Sequence, residues 1–189
     1  MKLNLGCGGS KLEGWINVDR EAVLNPDQVW DLDQTPWPWP DSSVEEIMLI
    51  HVLEHLGERS STFLAIIKEL WRICRHDAKI TIEVPHPRHD SFLSDPTHVR
   101  PILPSMLALF DQALNREWIA QKMSNTPLGL ILGVDFRVES YGHLPAEPWR
   151  TRLASGEVDR AAVEEAYRSF NNVIETVTVV WRAVKPGRG

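Results

Sequence analysis

The stretch Leu3-Asn4-Leu5-Gly6-Cys7-Gly8-Gly9 constrains this chain more than any other. A short apolar run suited to a buried strand, Lys2–Leu5, feeds a turn rich in glycine. Gly6 and Gly8 let the backbone turn sharply and approach a ligand with no Cβ in the way. A second apolar run, Gly14-Trp15-Ile16-Asn17-Val18-Asp19, ends on a carboxylate. A carboxylate at the tip of the second strand of such a unit can accept hydrogen bonds from both ribose hydroxyls of a nucleoside. The spacing narrows the ligand further. A dinucleotide fingerprint needs a third glycine where Lys11 stands, a full helix, and an acid about 20 residues on. Between Gly9 and Gly14 there is room for about one helical turn. That disfavours a pyrophosphate site on a long helix N-terminus and favours a nucleoside carrying an amino-acid tail. Cys7 reads as a small residue within the turn, because nothing near it in sequence would stabilise a thiolate.

A chain of 189 residues is of comfortable size for one domain, here 1–189, with a sizeable core. The net charge of −6 argues against a dedicated nucleic-acid binder, which would show a basic face. No apolar run approaches the ~20 residues of a membrane span, and with Met1-Lys2 leading directly into the first strand no signal peptide is expected. Cys7 and Cys74 suggest no disulfide framework, so a reducing cytoplasm is the expected location.

Along the chain, a short third strand is expected to end near Asp31-Leu32. Pro36, Pro38 and Pro40 then forbid regular structure, and Trp37 and Trp39 between them are suited to packing or to walling a pocket. The apolar run Val44–Ile50 suits a central parallel strand and delivers His51-Val52-Leu53-Glu54-His55-Leu56 at its carboxyl end, where open α/β sheets bind ligands. Ser60 and Ser61 are expected to cap a helix running to about Arg75, with Phe63, Leu64, Ile67, Leu70, Trp71 and Cys74 on its buried face. A fifth strand is expected over 78–84, ended by Pro85. The polar stretch 86–100 follows, then a helix over 104–122, a strand over 135–141, a loop over 142–156 with Pro145 and Pro148, a short surface helix over 157–169, and a final strand over 172–184. The end, 186–189, is expected to fray. Early strand–helix alternation followed by two late strands suggests a mixed sheet with the last strand antiparallel.

In order along the chain, Leu3–Gly9, Gly14–Asp19, Asp31-Leu32, Pro38–Asp41 and His51–Leu56 make the sequence similar to the class I S-adenosylmethionine-dependent methyltransferases, in particular to a compact bacterial group with LNLGCG and HVLEHL motifs. The resemblance covers the first half closely. It implies a Rossmann-like α/β fold: a mixed, mostly parallel seven-stranded sheet with helices on both faces and an antiparallel last strand. It implies S-adenosyl-L-methionine as cofactor. By resemblance, Leu5, Gly6, Cys7 and Gly8 hold the methionine moiety through the backbone, Asp19 takes the ribose, Asp31 and Leu32 flank the adenine, and His51 stands beside the sulfonium. Many relatives carry an acid where this chain has Asn4, an amide that supplies no charge for the cofactor's ammonium. The helices that often precede the first strand and cover the site are absent from this sequence, so cover is expected from an insertion at about 86–125 or from a partner chain, which makes a homodimer possible.

If the methyl acceptor offers a hydroxyl or protonated amine, a general base helps. His51, His86 and His98 are the candidate catalytic residues. The acceptor, unidentified by sequence, is expected to be a small molecule or saccharide, bound by 86–100. Two other readings stand beside this one. One is a non-catalytic cofactor-binding protein. The other is a metal-assisted hydrolase drawing on His86, His89, Asp90, Asp95 and His98, for which no strict ligand spacing is met, so no metal is assigned.

Overall fold

The computed structural model describes residues 1–186; of the end expected to fray, 187–189 lie outside the described residues. Seven strands form one sheet: β1 (Lys2–Leu5), β2 (Ile16–Asp19), β3 (Gln28–Val29), β4 (Val44–Ile50), β5 (Cys74–Pro85), β6 (Phe136–Pro145) and β7 (Ile174–Ala183). Their order is β3-β2-β1-β4-β5-β7-β6. The first five are parallel, and β7 runs antiparallel to both β5 and β6. The expected mixed sheet is therefore present, with helices around it. The chain moves outward from β1 to β2 and β3, then returns to place β4 on the other side of β1. That reversal opens a crevice beyond the carboxyl ends of β1 and β4.

Helix α1 (Ser60–Ile73) packs Phe63, Ile66, Ile67, Leu70 and Ile73 into the core, with Leu64 and Trp71 partly buried against it. It starts without a side-chain cap, and Ser60 is its first helical residue. It ends at Ile73, two residues before the end expected from the sequence, and Cys74 belongs to β5. β3 stops at Val29, short of Asp31.

After β5, which Pro85 ends, come α2 (Asp90–Leu93), α3 (Pro104–Leu107), α4 (Gln112–Ala120) and α5 (Leu128–Leu132). The single helix expected over 104–122 is broken at Asp111. Its carboxylate accepts from the amides of Ala113 (2.8 Å) and Leu114 (3.0 Å) and so caps a new helix. The loop expected over 142–156 is instead the end of β6 followed by α6 (Trp149–Ser155). Pro148 sits at the start of α6, where its missing N–H costs nothing, and Gly156 ends it in the left-handed region. With α7 (Arg160–Ser169), α6 covers a small second cluster of Val163, Ala166, Val173 and Ile174. No helix among the described residues is long and apolar enough to cross a membrane.

Candidate functional site

The glycine turn is held by close approach. Gly6 has φ +65°, and a Cβ there would lie 2.5 Å from Cγ2 of Val52. The Cys7 amide donates to the Val18 carbonyl at 2.9 Å, tying the turn to β2. The Cys7 side chain is buried, and that burial, followed by the charge of Asp19, pushes its thiol up. Leu5 gives its side chain to the core. Asn4 is buried and donates to Ser10 O and Asn17 Oδ1, both at 2.9 Å. Asn17 Oδ1 also accepts from the Leu12 amide at 2.8 Å. The Asn4 amide therefore pins a connection too short to brace itself as a helix.

Asp19 is nearly buried at the end of β2. Its Oδ2 accepts from the Gly8 amide at 2.8 Å and its Oδ1 from the Glu21 amide at 2.9 Å. Each oxygen keeps a further lone pair for a ligand. A cavity of about 340 Å³ opens here, lined by Gly6, Asp19, Asp31, Leu32 and His51 of the sequence candidates. It is completed by Arg20, Trp30, Asp33, Val52, His55 and Leu56, which the sequence reading had not named as site residues, and by Thr97 from the segment 86–100 expected to bind the acceptor. For His55 the signal was available: it sits inside the same HVLEHL stretch as His51.

The wall at Asp31 and Leu32 is anchored from behind. Asp31 accepts from the Asp33 amide (3.0 Å) and Gln34 Nε2 (3.3 Å). The Leu32 carbonyl accepts from Trp37 Nε1 at 3.0 Å. Trp37 and Trp39 are buried edge-to-face, ring centres 5.6 Å apart, so they pack and do not line the cavity. Glu69 accepts from the Trp37 amide at 2.6 Å, and Arg72 donates to the Trp37 and Trp39 carbonyls and to Glu69. Hydrogen bonding to Arg72 holds the Glu69 carboxyl below its ordinary range.

The histidines separate into two places. His51 follows β4 with φ +54°, and its amide donates to Glu83 O at 2.8 Å. Its half-exposed ring has Nδ1 3.5 Å from Glu54 Oε1 and Nε2 3.7 Å from Glu83 Oε1. The Glu54 hydrogen bond, assisted by the charges of Glu54, Glu83 and Glu175 and opposed by partial burial, raises the imidazole above its ordinary range. His98 stands behind the cavity wall, its ring 4.6 Å from that of His55. His86 is elsewhere. It is buried beneath Tyr167 and His143, with ring centres 5.2 and 6.1 Å away. Of the segment 86–100, only Thr97 lines the cavity. The metal set read from His86, His89, Asp90, Asp95 and His98 does not assemble: among the described residues, His98 groups with Glu54 and His55.

The strand order and the crevice at the β1–β4 reversal define the fold of the S-adenosylmethionine-dependent methyltransferases. A methyltransferase of that kind from Archaeoglobus fulgidus superposes with a TM-score of 0.64 at 20% identity, over 96% of this chain and 85% of that one. One from Methanosarcina mazei gives 0.57 at 12% identity, over 98% and 92%. The cyclase SpnF gives 0.53 at 13% identity, over 98% and 75%. No family model matches the chain, and no curated protein matches it in sequence.

Proposed function

We propose that the chain is an S-adenosylmethionine-dependent methyltransferase acting on a small-molecule or saccharide acceptor. The observation that carries this reading is the convergence of the Gly6 turn, Asp19, Asp31-Leu32 and His51 on one cavity at the carboxyl ends of β1, β2 and β4. At about 340 Å³ it is at the small end of the range for ligand sites. In this reading the Gly6–Gly8 backbone faces the methionine moiety, Asp19 the ribose hydroxyls, Asp31 and Leu32 the adenine, and His51 the sulfonium.

Methyl transfer is an in-line displacement. When bound, S-adenosylmethionine would supply an activated methyl group for the acceptor's lone pair, with S-adenosylhomocysteine as the neutral thioether leaving group. The protein mainly holds the reacting atoms close and aligned. Where the nucleophile carries a proton, His51 is one of the two histidines at the cavity able to take it. We place the acceptor at the side of the cavity carrying His55 and Thr97. There the segment after β5 crosses the turn after β4, and the amides of Val99 (2.9 Å) and Arg100 (3.1 Å) donate to Glu54 O. His86 has no part in this arrangement.

Calorimetry with S-adenosylhomocysteine, S-adenosylmethionine and NAD tests the cofactor. Heat is expected from the first two and none from NAD; NAD binding without S-adenosylhomocysteine binding overturns the reading. A screen of acceptors with methyl-labelled S-adenosylmethionine then tests transfer. The cyclase SpnF has this fold, and a fold does not dictate a reaction. Cofactor binding with no labelled product across acceptors would favour the second reading, a cofactor-binding protein without methyl transfer.

A further inference from the structure

Glu54 is fully buried, and beyond the 3.5 Å approach of His51 Nδ1 to Oε1 its carboxylate oxygens have no partner. A charged group out of water without partners is costly, by several kcal/mol per ion in order of magnitude. Around it stand His55 and His98. One donor atom of each of the three residues lies within 4.8 Å of the other two.

The rings are already oriented. His98 Nδ1 lies 2.8 Å from the Phe92 carbonyl, which can only accept, so Nδ1 carries the proton and the neutral ring keeps a bare Nε2. His55 Nδ1 lies 3.2 Å from the Thr97 carbonyl and 2.9 Å from Thr97 Oγ1, whose own proton goes to Asp95 Oδ1 at 2.6 Å. Nδ1 of His55 is therefore also the donor, and Nε2 again is bare. A ring N–H anchored on a backbone carbonyl is the outer-shell bond that orients histidines bound to metals.

His51 offers Glu54 one nitrogen, at 3.5 Å from Oε1. That contact leaves Oε2 without a partner, and His98 Nε2 has the Asp95 carboxylate near it only at 3.8 Å. We propose that Glu54, His55 and His98 hold a divalent first-row transition cation at the edge of the cavity. Two imidazoles and one carboxylate suit zinc, iron or cobalt; magnesium and calcium prefer oxygen donors throughout. In a tetrahedral site with bonds of about 2.0–2.1 Å the donors lie roughly 3.3 Å apart, so binding draws the three side chains inward. His55 lines the cavity, so a coordination position left open on that side faces a bound acceptor and can take an oxygen of it.

The test uses the untagged full chain, stripped with a chelator, with Zn²⁺ and Co²⁺ as probes. Equilibrium dialysis with elemental analysis should find one cation per chain, Co²⁺ should show visible ligand-field bands, and Zn²⁺ should raise the melting temperature. His55→Gln and His98→Gln, each checked for folding by thermal unfolding, should weaken binding by more than about 100-fold. His76→Gln, at an exposed histidine outside the set, should not. No stoichiometric binding by the unaltered chain at free Zn²⁺ up to about 100 μM overturns the proposal, as does full binding by either folded variant. No cofactor is present in these measurements, so their outcome is separate from that of the methyl-transfer reading.

Discussion

Asp19 acts on both the turn and the ligand. Its carboxylate organises the glycine turn through the Gly8 amide and remains able to accept from a ribose. Asp19→Ala is expected to weaken S-adenosylhomocysteine binding by about 1–3 kcal/mol, the scale for hydrogen bonds to a charged group. Calorimetry on a variant shown to be folded checks this, and unchanged affinity would remove Asp19 from the ribose. The roles of single residues were only partly legible. Asp19 stood out because its distance from the glycines is covalent information. The bracing role of Asn4 did not, because its partners Ser10 and Asn17 are brought to it only when β1 and β2 pair. Of the three candidate histidines, His51 was expected beside the sulfonium and His86 and His98 at the acceptor, and only His51 lines the cavity.

At the scale of elements, the proline-rich connection between β3 and β4 has no regular structure to hold it, and α1 holds it instead. Arg72 bonds Glu69, Asp41 and the carbonyls of Trp37 and Trp39. Arg72→Met leaves the nearly buried Glu69 carboxylate without its cation and frees two carbonyls. A loss of roughly 2–4 kcal/mol is expected, because removing one partner of a buried pair strands the other. Urea denaturation measures it. The Leu32 wall depends on Trp37, so S-adenosylhomocysteine affinity should fall as well. Stability unchanged within about 0.5 kcal/mol would mean that tryptophan packing alone holds the connection. Apolar periodicity found α1 and β4 because their burial repeats locally. It missed the break at Asp111 and the start of α6 at Pro148, where one residue's capping chemistry overrides the pattern.

At the scale of the whole molecule, a strong dependence on pH lies outside the cavity, at His86. Burial, followed by the charges of Arg88, His143 and His89, pushes His86 down to about 4. Its Nδ1 accepts from the Arg88 amide at 3.1 Å, which only the neutral ring can do. Between about pH 4 and the unfolded value near 6.5 the unfolded chain binds the extra proton. Stability from this group is therefore full above about 6.5 and falls as the solution is acidified towards 4, by on the order of 3 kcal/mol. Urea denaturation from pH 7 to 4 should show a shallower pH slope for His86→Phe than for the unaltered chain. Equal slopes would show that His86 is not the group responsible. The anchor joins β5 to α7, elements far apart in sequence, so the dependence belongs to the assembled fold.

The sequence by itself determined the strands, the glycine turn and the order of the motifs. A strand's hydrophobicity, a glycine's freedom and a proline's restriction act within a few residues. It also determined which fold those pieces resemble, and the strand order agrees. Only the tertiary structure decided what stands next to what. It placed Thr97 at the cavity and His86 away from it, and it buried Glu54 between His51, His55 and His98. The physical reason is the crossover at β4. The turn after that strand meets the segment after β5 through backbone hydrogen bonds from Val99 and Arg100 to Glu54, between residues distant along the chain.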